Sequence, residues 1–166
     1  KELIAYPIHL KFNTGLNRLG FSKEEIPLII DCIKKSKYVK IKSILSHLAA
    51  SEDVNEQDFT LLQINNFKQI IQEVYRRLNY TPMAHILNTS GVINYPEAQF
   101  DMVRIGIGLY GFGNDKTETS HLKNSHILKS TISQTHVVKI GETVGYNRAF
   151  KAIKNTKIAT IPIGHA

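Results

Sequence analysis

The sequence of 166 residues has a single cysteine and no uninterrupted apolar stretch of about 18 residues, the length that a membrane-spanning helix needs. The lone Cys32 excludes an internal disulfide framework and a zinc site made of several cysteines, and it is typical of a reducing compartment. The opening KELIAYPIHL lacks both an initiator methionine and the basic-then-apolar layout of a signal peptide. We therefore expect a cytoplasmic protein without membrane spans, of which these residues are not the native beginning.

Acidic residues are also few. The chain has 14 Asp and Glu against 21 Lys and Arg, which gives a net charge of +7. The lysines are spread along the chain without an aromatic RNA-binding signature, so nucleic acid is not a predicted partner. This dispersed positive charge instead favours the approach of anionic ligands. The hydrophobic fraction of 42% excludes a disordered tail, and the length suits one domain while being short for a β/α barrel.

Short apolar runs alternate with longer segments of helical period before residue 113. This alternation predicts βα units around a largely parallel sheet. The predicted strands are 8–12, 39–45 and 83–87. Ser22 and Glu25 have the spacing of a helix capping box, and the apolar face of a first helix follows from Ile26. Pro27 leaves the start of that helix open. A long amphipathic helix is predicted over 58–78.

A polar stretch, GNDKTETSHLKNS at 113–125, predicts a linker. After it the period changes, because short β-rich segments at 127–138, 143–146 and 157–163 follow without a helical stretch. We therefore divide the chain into an α/β part over 1–124 and the start of a β domain over 125–166.

Polar residues follow each predicted strand, and these are the positions at which ligands gather in β/α architectures. His47 and Asn88 stand at two of them, and each alone could equally be a satisfied core side chain or a turn former. Arg104 lies in the segment MVRIGIGLYG, where a buried guanidinium needs a partner. Gly106 leaves room for a ligand to reach backbone amides, although a lone G-x-G is a weak signal.

Five motifs in series resemble a known family. They are HLKFNTGLNRLGF at 9–21, SHLAASED at 46–53, HILNTSGVINYPEAQFDMVRIGIGLYG at 85–111, VKIGETVGYN at 138–147 and IATIPIGHA at 158–166. Their order and spacing are similar to those of alanine racemase over nearly the whole chain. The resemblance implies a pyridoxal-phosphate enzyme, usually a homodimer, with a TIM-type (β/α)8 barrel followed by a β domain. The chain then corresponds to the later part of the barrel and the first strands of the β domain, and the cofactor-binding lysine lies upstream of it.

The same resemblance implies roles for charged residues. Arg18 matches the arginine that places the substrate carboxylate and the cofactor hydroxyl, a task suited to a guanidinium fork. Lys11 matches a lysine that is often carbamylated. Arg104 matches the arginine that donates to the pyridine nitrogen, and His47 matches the histidine that supports it. Because arginine keeps its proton, the ring nitrogen would stay unprotonated, which weakens the electron sink and favours reprotonation at Cα.

The phosphate contacts are implied in the same way. Asn88 and Thr89 match an Asn-Ser pair beside the cofactor, and Thr89 keeps the hydroxyl that binds phosphate. Gly106 and Ile107 match residues whose backbone amides donate to phosphate. No metal site is predicted.

Two positions depart from the family pattern. Asn13 stands where the family often has Asp, which removes a negative charge near Lys11 and Arg18. The ending P-x-G-Y-A-D-G, whose tyrosine we take as the second proton-transfer residue, has His165 instead. Imidazole has a pKa near 6.5 against about 10 for a phenol, so a histidine could serve as a base without strong activation. The other interpretation is that His165 is a spacer and that activity is altered or lost.

We therefore predict part of an alanine racemase that interconverts L- and D-alanine, with His165 serving the face of the substrate opposite the upstream lysine. The product would supply peptidoglycan synthesis, and some family members are fused behind a Mur ligase domain. Because the chain alone lacks that lysine, we predict that it is inactive by itself. Two alternatives stay open, namely a racemase for another amino acid and a non-catalytic protein that binds pyridoxal phosphate.

Overall fold

The computed structural model describes residues 5–164, and these divide into two units, one up to His126 and one from Ile127 onward. The elements of the first unit are β1 (Tyr6–Lys11), α1 (Ile26–Lys35), β2 (Val39–Leu45), α2 (Gln57–Arg77), β3 (Met83–His85), α3 (Thr89–Asn94) and α4 (Lys116–Ser120). The elements of the second unit are β4 (Gln134–Val138), β5 (Thr143–Val144), β6 (Phe150–Lys151) and β7 (Thr156–Thr160). Short 3-10 turns connect several of them.

The first unit is built on a parallel sheet in the order β1-β2-β3, with α1 and α2 as the connections between consecutive strands. The predicted βα units are therefore confirmed, and the described strands form an open sheet rather than a closed barrel. The pairing of β1 with β2 shifts after Ile8, which faces Ile41, so that the next residue, His9, faces Ser43. This irregularity leaves Lys42 without a partner residue in β1.

Helix α1 tolerates a proline because that proline lies in its first turn. The helix begins at Ile26, and Pro27 lies in its first turn, where a missing N–H interrupts no helical hydrogen bond. Just before it, the Glu25 carboxylate accepts from the Ser22 amide at 2.7 Å, the contact that the capping-box spacing predicts. Ile26 and Ile30 then face the core.

The long helix α2 lies within one residue of its predicted limits. Its buried side chains recur at three- and four-residue spacing and pack on the sheet together with residues of α1 and β2. Two buried members, Thr60 and Gln63, are polar and fully enclosed, and Gln63 has the longer hydrogen-bonding side chain. The core thus places a hydrogen-bonding side chain at the ends of the strands, next to the loops described below.

Two short helices differ from the prediction. The segment after β3, for which no helix was predicted, forms α3, and the Asn88 side chain caps it by accepting from the Gly91 amide at 2.9 Å. The expected linker at 113–125 contains α4, which Asp115 caps by accepting from the Glu118 amide at 2.7 Å. Both helices have six residues or fewer, too short for an apolar period to show in the sequence.

The second unit has two small antiparallel ladders, β4 with β7 and β5 with β6. The predicted change to β structure is confirmed, although the first strand begins at Gln134 and not at residue 127. No helix among the described residues is both long and apolar enough to cross a membrane.

Candidate active site

The loop after β1 is a tight polar turn that ends at Arg18. Asn13 organises it, because its Oδ1 accepts from the amides of Gly15 at 3.1 Å and Asn17 at 3.0 Å. The Asn13 Nδ2 also donates to Asn17 Oδ1 at 2.8 Å. An aspartate could accept the first two bonds but could not donate the third. The departure from the family pattern at this position therefore gains a hydrogen bond within the turn, and Arg18 is left exposed at its end.

A buried network joins this turn to the loop after β2. Thr14 Oγ1 lies 2.7 Å from Ser46 Oγ. Gln63 of α2 donates to Thr14 Oγ1 at 3.4 Å and to the His47 carbonyl at 3.3 Å, and its own oxygen accepts from the Ala49 amide at 2.9 Å. Since every one of these groups would be costly to bury unpaired, the network fixes the two loops relative to each other.

Arg104 lies at the centre of the site and contacts neutral groups. Its Nη2 donates to the carbonyls of Ser46 at 2.7 Å and Ile86 at 3.3 Å and lies 3.1 Å from His47 Nδ1, while its Nη1 contacts His85 Nδ1. The described residues contain two ion pairs, both made by Glu73 on α2, so no carboxylate in that part of the chain pairs with Arg104. The buried guanidinium was expected to need a partner, and its partners are a set of uncharged acceptors.

The two histidines beside Arg104 are held in their neutral form. Burial, followed by the positive charge of Arg104, lowers the pKa of His85 to about 4. The pKa of His47 is lowered by the same two causes and further by the charges of Arg18 and Lys11. Neutral imidazoles can accept from a guanidinium, whereas imidazolium rings would repel it. The site therefore keeps the whole positive charge of Arg104.

Lys11, the last residue of β1, faces the same positive field. Its pKa is lowered, first by burial and then by the charges of Arg18 and Arg104. The charges of Lys11, Arg18 and Arg104 therefore converge at the ends of β1 and β2. Such a concentration of positive charge attracts an anionic ligand.

A second cluster lies at the start of α3. Thr89 Oγ1 accepts from the amides of Gly106 at 3.0 Å and Gly108 at 3.3 Å. A Cβ added at Gly108 would come within 2.7 Å of Thr89 Cγ2, whereas one added at Gly106 would meet nothing closer than Thr89 Oγ1 at 3.9 Å. Both amides donate to the Thr89 oxygen, which leaves the hydroxyl proton free to donate to an anionic group such as a phosphate.

A buried carboxylate anchors this cluster from behind. Glu118 of α4 accepts from Ser90 Oγ at 3.0 Å, from Asn94 Nδ2 at 3.1 Å and from the Asn114 amide at 2.8 Å. It is 2% exposed. The segment expected to be a linker thus holds α3 in place.

The structure brings most of the predicted site residues together at the strand ends and leaves one unplaced. His47 and Arg104 are in direct contact, Lys11 and Arg18 contribute charge to the same field, and Asn88, Thr89 and Gly106 share the α3 cluster. Ile107 follows Gly106 at the start of a 3-10 turn and is exposed. His165 lies outside the described residues.

His85, Ser43 and Gln63 were not predicted from the sequence as site residues. Each is a polar residue at a buried position of an element that was otherwise predicted correctly, and that mismatch is the signal that could have found them. Tyr146 of the second unit, whose side chain is fully exposed, was not predicted either. This tyrosine precedes two residues with left-handed backbone, Asn147 at φ 53° and Arg148 at φ 52°. Backbone strain of this kind is often found at functional sites.

Two protein-family models match the chain that carries this site. Residues 4–114 match the family model described as "Alanine racemase, N-terminal domain", and residues 126–166 match "Alanine racemase, C-terminal domain". The chain belongs to the alanine racemase family. Alanine racemases are isomerases. Residues 115–125 lie between the two matched segments.

Individual relatives agree. The chain is 34% identical over 163 residues to alanine racemase of Treponema denticola, which covers 96% of this chain and 43% of that protein. It is 36% identical over 162 residues to the enzyme of Fusobacterium nucleatum, with 96% and 44% covered. A solved alanine racemase of Clostridium difficile in complex with cycloserine has 25% identity and a TM-score of 0.71 over 97% of this chain and 42% of that one. The chain thus spans less than half the length of these relatives.

Proposed function

We propose that the protein to which this chain belongs is an alanine racemase that uses pyridoxal phosphate to interconvert L- and D-alanine. The observation that carries the proposal is the Arg104 guanidinium, which is held by four uncharged acceptors and faces no carboxylate among the described residues. A full positive charge in that setting suits an electron-rich acceptor such as an unprotonated pyridine nitrogen. The family membership supplies the reaction class.

The residues present fit the cofactor at its two ends. Arg104 would hold the ring nitrogen, and the Thr89 hydroxyl with the amide of Ile107 would hold the phosphate. The Gly106 amide, which donates to Thr89 Oγ1, would join them by turning from that hydroxyl to the phosphate. A Cβ added at Gly106 would meet nothing closer than Thr89 Oγ1 at 3.9 Å, so this side of the cluster is open to a ligand, which supports the assignment. When bound, the cofactor withdraws electrons from the substrate Cα and so makes its proton acidic. Arg104 limits that withdrawal, because a donor that keeps its proton leaves the ring nitrogen neutral.

Arg18 and Lys11 would act on the substrate end. The exposed guanidinium of Arg18 can form two parallel hydrogen bonds to the carboxylate of alanine. The lowered pKa of Lys11 increases the fraction of free amine, which is the form that adds to carbon dioxide. In that addition the amine nitrogen bonds to the carbon of CO2 and loses one proton, which yields an anionic carbamate. A carbamate on Lys11 would turn a cation beside Arg18 into a partner for it.

The proton on the second face of Cα needs a separate group. His165 is one candidate, because it stands in the IPIGHA motif where we expect the family tyrosine. Tyr146 is the other, because its phenol is fully exposed on a strained turn and is therefore free to reach into a site on a partner copy. The same proposal includes a homodimer in which each copy contributes this residue to the site of the other. It also includes the use of the D-alanine product for peptidoglycan synthesis.

The proposal is tested on the full-length protein loaded with pyridoxal phosphate, with L- and D-alanine as substrates. Arg104→Glu should lower racemisation and raise transamination, because a carboxylate at this place rewards protonation of the ring nitrogen. Arg76→Glu, at an exposed arginine of α2, is the matched control and should change neither rate. A loaded protein that racemises no alanine overturns the proposal, and racemisation of a different amino acid would indicate another racemase.

Two further variants separate the candidates for the second face. Loss of the true group should lower racemisation by about 10²- to 10⁴-fold and should stop solvent deuterium exchange for one enantiomer only. Tyr146→Phe and His165→Ala are compared in this assay. The variant that keeps near-normal turnover and exchanges both enantiomers identifies its residue as uninvolved.

A further inference from the structure

Three polar side chains form a row across the sheet next to Arg104. His9 lies in β1, Ser43 in β2 and His85 in β3. Ser43 Oγ lies 2.5 Å from His9 Nδ1 and 3.0 Å from His85 Nε2, and His85 Nδ1 contacts Arg104 Nη1. Ser43 is fully buried and His85 almost so. A continuous chain of hydrogen bonds therefore runs from the guanidinium to the first strand.

The direction of every proton in this row follows from Arg104. A guanidinium only donates, so His85 Nδ1 must accept and the proton of the neutral imidazole must lie on Nε2. That N–H donates to Ser43 Oγ, which leaves the hydroxyl proton free to bond His9 Nδ1. The order of donors and acceptors is thus set from one end to the other.

The presence of Ser43 is not explained by packing. It occupies a buried position of β2 between the exposed Lys42 and the buried Ile44, where an apolar side chain would fill the same space and a hydroxyl is costly without partners. The register shift after Ile8 brings this residue level with His9. The hydroxyl is therefore accounted for by the two imidazoles that it joins.

We propose that Ser43 is a positioning residue of the racemase reaction. It accepts the Nε2–H of His85 and so stabilises the tautomer that Arg104 requires, and His9 completes the arrangement by accepting the Ser43 proton. The opposite tautomer would set the Nδ1–H of His85 against an N–H of Arg104, and the guanidinium would move away from its place. Ser43 thus acts on Arg104 through His85, and its role rests on the function proposed above for Arg104.

The test uses the full-length protein with bound pyridoxal phosphate and 15N-labelled histidine, near pH 7. The His85 signals are assigned by their loss in His85→Gln. We expect the wild-type protein to show a proton on Nε2 and none on Nδ1. Ser43→Ala should give a mixture of tautomers and lower kcat about tenfold, which corresponds to about 1.4 kcal/mol, with little change in the KM for alanine. Ser43→Thr keeps the hydroxyl and should restore both readouts.

The outcomes separate this inference from the proposed function. A proton on Nδ1 of His85 in the wild-type protein overturns the positioning role and requires no variant to fold. Equal tautomers and equal kinetics in Ser43→Ala and Ser43→Thr overturn it as well. One further outcome is a protein that shows the expected tautomer, and its loss in Ser43→Ala, but does not racemise alanine. That outcome supports the positioning role of Ser43 and contradicts the proposed racemase function.

Discussion

The two units of the chain bury their apolar residues to very different extents. The first unit packs a cluster of 17 buried apolar residues between its parallel sheet and its helices. In the described part of the second unit, Val138 and Ala152 are the buried apolar residues, whereas Ile140 and Ile153 are 68% and 84% exposed. Helices α1 and α2 thus enclose a core with the sheet of the first unit, whereas the described part of the second unit has no α-helix to pack on its two short ladders.

The largest expected effect concerns the core of the first unit. Phe67 on α2 is fully buried and packs edge-on against Phe100, so Phe67→Ala should lower the free energy of unfolding by about 3–5 kcal/mol. Ile153→Ala in the second unit should change it by less than about 0.5 kcal/mol if the residue stays exposed in the full-length protein. Both changes in the free energy of unfolding can be measured by hydrogen exchange of the amides in each unit. A cost above about 2 kcal/mol for Ile153→Ala would show that other residues of the protein cover this face.

A smaller effect is expected in the α3 cluster. Gly108→Ala would place a Cβ 2.7 Å from Thr89 Cγ2, and overpacking of this kind costs about 1–3 kcal/mol. We expect weaker binding of pyridoxal phosphate, because the Thr89 hydroxyl must move. Adding Thr89→Ser removes Cγ2 and should restore part of the affinity, as measured by titration of the protein with the cofactor. No rescue by the double substitution would show that the loss has another cause.

A third effect is a pH dependence confined to the first unit. His85 has a pKa of about 4 in the folded protein against about 6.5 when unfolded, so the unfolded state binds more protons between these values. Stability should therefore be complete above about pH 6.5 and fall as the pH drops toward 4. Burial, and after it the charges of Arg104 and His9, lower the pKa of His85, and Asp101 opposes them. His85→Gln should flatten the profile in hydrogen exchange of β3, and an unchanged slope would contradict this account.

Much of the first unit could be predicted because its signals are local. The apolar run of β2 matches its predicted bounds, and α2 is offset by one residue because its period spans many turns. Helices α3 and α4 were missed because a short helix held by a capping Asn88 or Asp115 has no period to detect. The need of Arg104 for a partner was evident from its apolar surroundings.

The identity of those partners was not evident. His85 and Ser46 lie 19 and 58 residues away from Arg104 along the chain, and only the pairing of the strands brings them to the guanidinium. Gln63 looked like one more polar residue of an exposed helix face, because a sequence shows its period but not which loop stands above it. The resemblance supplied His47, whose contact with Arg104 the structure contains.

The register shift between β1 and β2 bears on how this chain can change through insertions and deletions. The unpaired Lys42 sets which residues of β2 stand level with β1 from His9 onward. Removing this single residue would draw Ser43 back by one position and turn the side chains that follow it to the opposite face of the sheet. The row from His9 to Arg104 would then be broken without any of its members being substituted. We expect homologous sequences to vary more freely in residue type along β2 than in its length.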